Sequence, residues 1–231
     1  DMDSDGRPEI ILENDRLSAV LDKGVAAPAA DGTVYDDRFV RGGWIRSIRP
    51  ADSAAHFLLQ AEHAPEATPS FTGMREEFET PLKLFEGVPD EGTEVRFVKV
   101  GIGLFAATAD GRGGWREPRL VRAPEWETAV EEVEDTGTCV VFRQTLEDAG
   151  TTAYSYEKRY ILAPDSDTLT VARALTNLGL GTISTLWYLH PFYGPEKGIG
   201  YNELSRLIVP LRTEGHRVDL TPVPPWKPSP L

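Results

Sequence analysis

The segment that most restricts how this chain can fold is Tyr154-Ser155-Tyr156-Glu157-Lys158-Arg159-Tyr160, in which large side chains alternate with small or charged ones. Residues i and i+2 of a strand project to the same side, so Tyr154, Tyr156, Lys158 and Tyr160 share one face. The neighbouring sequence has the same character. Thr138 to Leu146 alternates and is rich in β-branched residues, with Glu147 to Gly150 as a turn. Ala163 to Asp167 is a polar turn, after which Leu169, Val171 and Leu175 alternate against Thr170 and Thr176. Asn177 to Gly181 interrupts the pattern and Thr182 to His190 resumes it, so the economical expectation is three strands in an antiparallel meander.

The first half reads as strands at Glu9 to Leu21, Trp44 to Ile48, His56 to Gln60 and Arg96 to Phe105, and no stretch has convincing helical amphipathicity. Asp110 to Pro124, with Gly111, Gly113 and Gly114, reads as a loop able to cross a site. Successive short strands separated by turn chemistry predict an all-β fold, a large twisted antiparallel β-sandwich. At 231 residues, 1–231 is expected to be a single domain, with the proline-rich tail 221–231 extended and peripheral.

Charge and cysteine content remove several classes of function. With 37 acidic against 24 basic residues the net charge is -13, which opposes nucleic-acid and anionic-membrane partners. No apolar stretch approaches the ~18 residues of a membrane span. Cys139 is the single cysteine, expected in the core, so no disulfide framework or thiolate metal site exists. His56 and His63, with Glu62 beside the latter, match no compact ligand spacing. Phosphate-cradling glycine loops and a Gly-x-Ser-x-Gly elbow are also missing, and no cofactor is expected. Lack of disulfides leans toward a cytoplasmic setting, while a mature secreted form also fits.

The segment with most chemical content is Thr185-Leu186-Trp187-Tyr188-Leu189-His190-Pro191-Phe192-Tyr193. It places a histidine, a residue type suited to proton transfer, at the end of an aromatic strand that Pro191 would terminate. His190-Pro191-Phe192-Tyr193 is similar to the strand-ending His motif of the galactose mutarotase-like (aldose 1-epimerase-like) superfamily. Leu175 to Gly179 resembles that family's Asn turn. Tyr35 to Phe39 with Gly42-Gly43-Trp44-Ile45, Gly73 to Phe78, and Phe97 to Leu104 resemble segments of its uncharacterised subgroup. The resemblance implies a supersandwich fold, a small or oligomeric carbohydrate as ligand, and His190 as general acid in an isomerase. It also implies a carboxylate base, and here the chain departs from the pattern, since Glu203 and Glu214 sit in no recognisable motif.

Glu76 and Glu77 are an alternative source of that carboxylate. As neighbours on a strand they point to opposite faces, so at most one enters a cleft and the other is a surface group; Glu77 is the candidate. Arg38, Arg41 and Lys99 are candidate contacts for hydroxyl or carboxylate groups. Trp115, in a glycine-rich loop where core burial is hard to arrange, and Tyr156 and Tyr188 are candidate sugar platforms. A polysaccharide lyase or glycosidase-like enzyme, with His190 or Tyr188 abstracting a proton, and a non-catalytic carbohydrate-binding module are the other readings. A carboxylate beside His190 separates the enzyme from the module.

Overall fold

The computed structural model describes residues 9–23, 39–40, 42–53, 58, 73–80, 90–133, 137–147 and 153–191. Backbone contacts divide the chain into Asp1–Gly200 and Tyr201–Leu231. Every described residue belongs to the first unit, so the proline-rich tail lies outside the description.

The described residues form strands and no helix: β1 (Glu9–Glu13), β2 (Leu17–Asp22), β3 (Trp44–Pro50), β4 (Met74–Phe78), β5 (Glu94–Lys99), β6 (Gly103–Thr108), β7 (Arg119–Arg122), β8 (Trp126–Val133), β9 (Gly137–Leu146), β10 (Tyr154–Leu162), β11 (Thr170–Asn177) and β12 (Trp187–Pro191). They make three sheets, ordered β1-β2-β3-β4-β12, β11-β10-β9-β8 and β5-β6-β7. All pairings are antiparallel.

Four expectations are corrected, three of them by local chemistry. Glu9 to Leu21 is a hairpin, because the Asn14 carboxamide oxygen accepts the N–H groups of Arg16 and Leu17 at 2.8 Å and folds the chain into an Asx turn. Arg96 to Phe105 is likewise two strands, β5 and β6, hinged at Gly101 with φ of 78°. Asp110 to Pro124 is only in part a loop. Asp110 caps a tight turn by accepting the N–H groups of Arg112 and Gly114, and β7 then joins the third sheet. Finally, only Trp187–Pro191 of Thr182 to His190 is a strand, and it leaves the meander to pair with β4 in the other sheet. The expected strand at His56 to Gln60 lies outside the described residues apart from Leu58.

The alternation in β10 packs as expected. Tyr154, Tyr156, Lys158, Tyr160 and Leu162 are buried on one face while the residues between them are half-buried. Val140, Phe142, Tyr160 and Leu162 meet Leu12, Leu17, Leu21 and Ile45 of the first sheet in one apolar cluster. Leu146, Tyr154 and Tyr156 meet Val98, Val100 and Leu104 of the third sheet, with Phe78, in another. Each such fully buried large side chain contributes roughly 1.5–3 kcal/mol. The reverse face of the second sheet is charged, with Arg143, Glu157, Arg159 and Glu131 linked in one ion-pair chain. Cys139 is buried on this sheet, but it belongs to none of the apolar clusters.

Gly42 and Gly43 open β3 and turn their carbonyls inward. Lys158 Nζ donates to both, at 3.0 Å to Gly43, and the Tyr160 hydroxyl donates to Gly43. A Cβ at Gly43, whose φ is 60°, would stand 2.9 Å from Phe142 and 3.0 Å from Lys158 Cε. Gly43→Ala is therefore expected to destabilise the fold by more than ~1 kcal/mol, read as a lower urea midpoint at unchanged slope.

Candidate functional site

Strand β4 carries Glu76 and Glu77 into two different environments, and both side chains are buried, each only 5% exposed. The surface position expected for one of them is corrected, because each has partners that offset the cost of burial.

Glu76 faces the second sheet. Its Oε2 accepts the Tyr156 hydroxyl at 2.7 Å, its Oε1 accepts Arg173 Nε at 2.6 Å, and Lys158 Nζ lies 3.6 Å from Oε2. Burial alone would raise the Glu76 pKa, but Lys158, Arg173 and the Tyr156 hydroxyl outweigh it and hold the carboxylate below its ordinary value. Burial lowers Lys158 to about 8, with Glu76 pulling the other way. Burial, then the Glu76 charge, pushes the Tyr156 hydroxyl upward. Tyr156, expected as a ligand platform, is therefore a core residue whose hydroxyl is committed to Glu76.

The opposite face of the β4–β12 ladder is different. Tyr188 stands across from Glu77 and His190 across from Arg75, and the ladder continues through the Glu79 N–H, which donates to the Leu186 carbonyl at 2.9 Å. Period-two alternation puts Arg75, Glu77, Glu79, Tyr188 and His190 on this one face. His190 Nε2 lies 2.9 Å from Glu77 Oε2. Two rings flank the imidazole: Phe39 edge-on at 5.1 Å and Tyr188 tilted at 4.9 Å. The Tyr188 hydroxyl donates to Glu79 Oε1. Desolvation first, then Glu79 and Glu77, pushes that phenol well up, so it stays protonated. Arg75 lies over the rings of Trp44, 3.3 Å from its centroid, and Phe39, at 5.6 Å.

Of the residues singled out in the sequence, the structure thus gathers His190, Glu77 and Tyr188. Lys99 ends β5 in the third sheet and is buried there. Trp115 is half-buried in the third sheet's apolar cluster, away from His190 in the sheet order. It bridges to Ala109 and packs against Phe97, Ile102, Phe105 and Ala107. Arg38, Arg41, His56 and His63 lie outside the described residues. Among the described residues no group of three or more His, Cys, Asp or Glu is placed to hold a metal ion, and no helix is long and apolar enough to cross a membrane.

Sequence reasoning missed Glu79, Arg75 and Phe39 on this face, and Arg173 on the other. The two-residue spacings Arg75-Glu77-Glu79 and Tyr188-His190 were legible, but no local signal said that these two strands pair. No family model, curated protein sequence or solved structure matches the chain. The site is accordingly read from its own geometry.

The Glu76 cluster makes two expectations. Glu76→Ala leaves Lys158 and Arg173 facing each other without their carboxylate, and is expected to cost about 3–5 kcal/mol in urea unfolding. Stability should also rise with pH from about 8 toward 10.5, because the unfolded chain holds the Lys158 proton that the fold has released. Near the ordinary tyrosine value of 10.0 the trend reverses, since the unfolded chain loses phenolic protons that buried Tyr154, Tyr156 and Tyr160 keep. In Lys158→Met the rising limb should be lost, as read from unfolding midpoints across that range.

Proposed function

We propose that this chain is a carbohydrate-active β-sandwich protein of the aldose 1-epimerase-like type, in which His190 exchanges a proton with a sugar ring and Glu77 holds its imidazole. The observation that carries the reading is the 2.9 Å contact between His190 and Glu77 on adjacent strands. The aromatic flanks of Phe39 and Tyr188 and the motifs around His190 support it. The supersandwich architecture is part of the same proposal, supported by the two sheets that share the Tyr160 and Ile45 cluster.

In anomerisation, protonated His190 gives its proton to the ring oxygen as the bond from that oxygen to the anomeric carbon opens. The anomeric hydroxyl loses its proton and becomes the aldehyde, and closure after rotation about the adjacent C–C bond returns both protons. Glu77 touches His190 and so stands on the same side of a bound ring. Its part is that of the carboxylate in a triad, holding the imidazole in place, and the anomeric proton passes to water or to another group facing the ring.

The carboxylate beside His190 favours this reading over a non-catalytic binding module. The protonated state of Tyr188 makes it a donor and argues against a lyase in which it is the base. A net charge of -13 also fits a small or oligomeric carbohydrate better than a polyanionic ligand.

The test is exchange NMR between the anomers of a panel of free aldoses. The parent should accelerate exchange, and His190→Ala should lower that acceleration by about 10²–10⁴, with Glu77→Gln between the two. Absence of acceleration on every aldose would sink the isomerase reading in favour of sugar binding alone.

A further inference from the structure

The imidazole of His190 stands 2.9 Å from Glu77, so whatever limits its rotation about the Cβ–Cγ bond sets how the ring meets that carboxylate. Two rings limit it. Phe39 meets the imidazole edge-on at 5.1 Å, and Tyr188 lies against it at 4.9 Å with 57° between the planes. Tyr188 is in turn tied at its far end, where its hydroxyl donates to Glu79 Oε1.

Glu79 is itself held firmly at the main chain. Its N–H donates to Leu186 O at 2.9 Å, and its carbonyl accepts the Thr185 hydroxyl at 2.7 Å. Its backbone position at the end of β4 is thus fixed.

We infer that Glu79 is a positioning residue for His190, acting through Tyr188: by accepting the phenol it fixes the ring that bounds the imidazole and so sets the rotation presented to Glu77. The side chains, their order and their spacing carry the inference. Glu77 lies on β4 and Glu79 just past its end, Tyr188 and His190 are two apart on β12, and the contacts run from Glu79 across to Tyr188, along β12 to His190 and back to Glu77. A charge-assisted hydrogen bond of this kind is among the stronger single contacts available to a phenol. The consequence for catalysis rests on His190 being the proton-transfer group, but the positioning itself does not.

The experiment therefore reads His190 without any sugar. In histidine-selective proton–nitrogen spectra, the His190 ring signals are identified by their loss in His190→Ala. In the parent they should be single and displaced by the fixed Tyr188 ring. Glu79→Ala and Tyr188→Phe should each broaden or double them and collapse that displacement, and the double variant should do no more than either single change. Glu79→Gln, whose amide oxygen can still accept the phenol, should keep the parental spectrum. Amide signals of Phe78 and Leu186 report whether the β4–β12 ladder is intact in each variant.

His190 signals unchanged in both Glu79→Ala and Tyr188→Phe would overturn the inference. So would an effect of Glu79→Ala that persists undiminished in the Tyr188→Phe background, since it would then act by charge alone. If the inference holds and the protein is an isomerase, Glu79→Ala lowers anomer exchange while Glu79→Gln restores it. If the ring signals respond as expected and no aldose is turned over, the positioning stands and only the isomerase reading falls.

Discussion

Glu76 is the residue on which the rest of this architecture turns. It belongs to the first sheet, yet its carboxylate is surrounded by Tyr156, Lys158 and Arg173 of the second. Lys158 passes the tie on to the Gly42 and Gly43 carbonyls at the start of β3. An ion cluster in a low-dielectric interior contributes little net stability against an apolar equivalent, but it penalises every arrangement that separates its members. β4 is consequently held in one register against β10 and β11.

That constraint reaches the other face of β4. When Glu76 is locked inward, Glu77 is locked outward, because adjacent side chains on a strand point to opposite faces. β12 pairs with β4 alone among the described strands, at the edge of its sheet, and brings Tyr188 and His190 alongside. The buried cluster and the His190–Glu77 contact are thus back to back on a single dipeptide, Glu76-Glu77.

Some of this was legible without coordinates. The alternation through Tyr154 to Tyr160 specified both the strand and its buried face, because period two permits one arrangement only once one side must leave water. Hairpin turns were less visible. Asn14 and Gly101 sit within runs apolar enough to read as continuous strands, and the signals that divide them are one Asx side chain and one glycine with positive φ. The glycine-rich context of Trp115 gave no sign of the strand bridge to Ala109 that half-buries it against an apolar cluster.

Local alternation and turn chemistry were enough to mark strands among the described residues and to place His190 on one of them. They act over a few residues and need no knowledge of what lies across a sheet. The crossing of β12 from the meander to β4 was decided only in three dimensions. So were the burial of Glu76 by three residues from β10 and β11, and the meeting of His190 with Glu77 across 113 positions of sequence (190 − 77). Each of these depends on pairing between distant segments, where the cost of a buried charge and the complementarity of whole faces choose the partner, and no window of neighbouring residues contains that information.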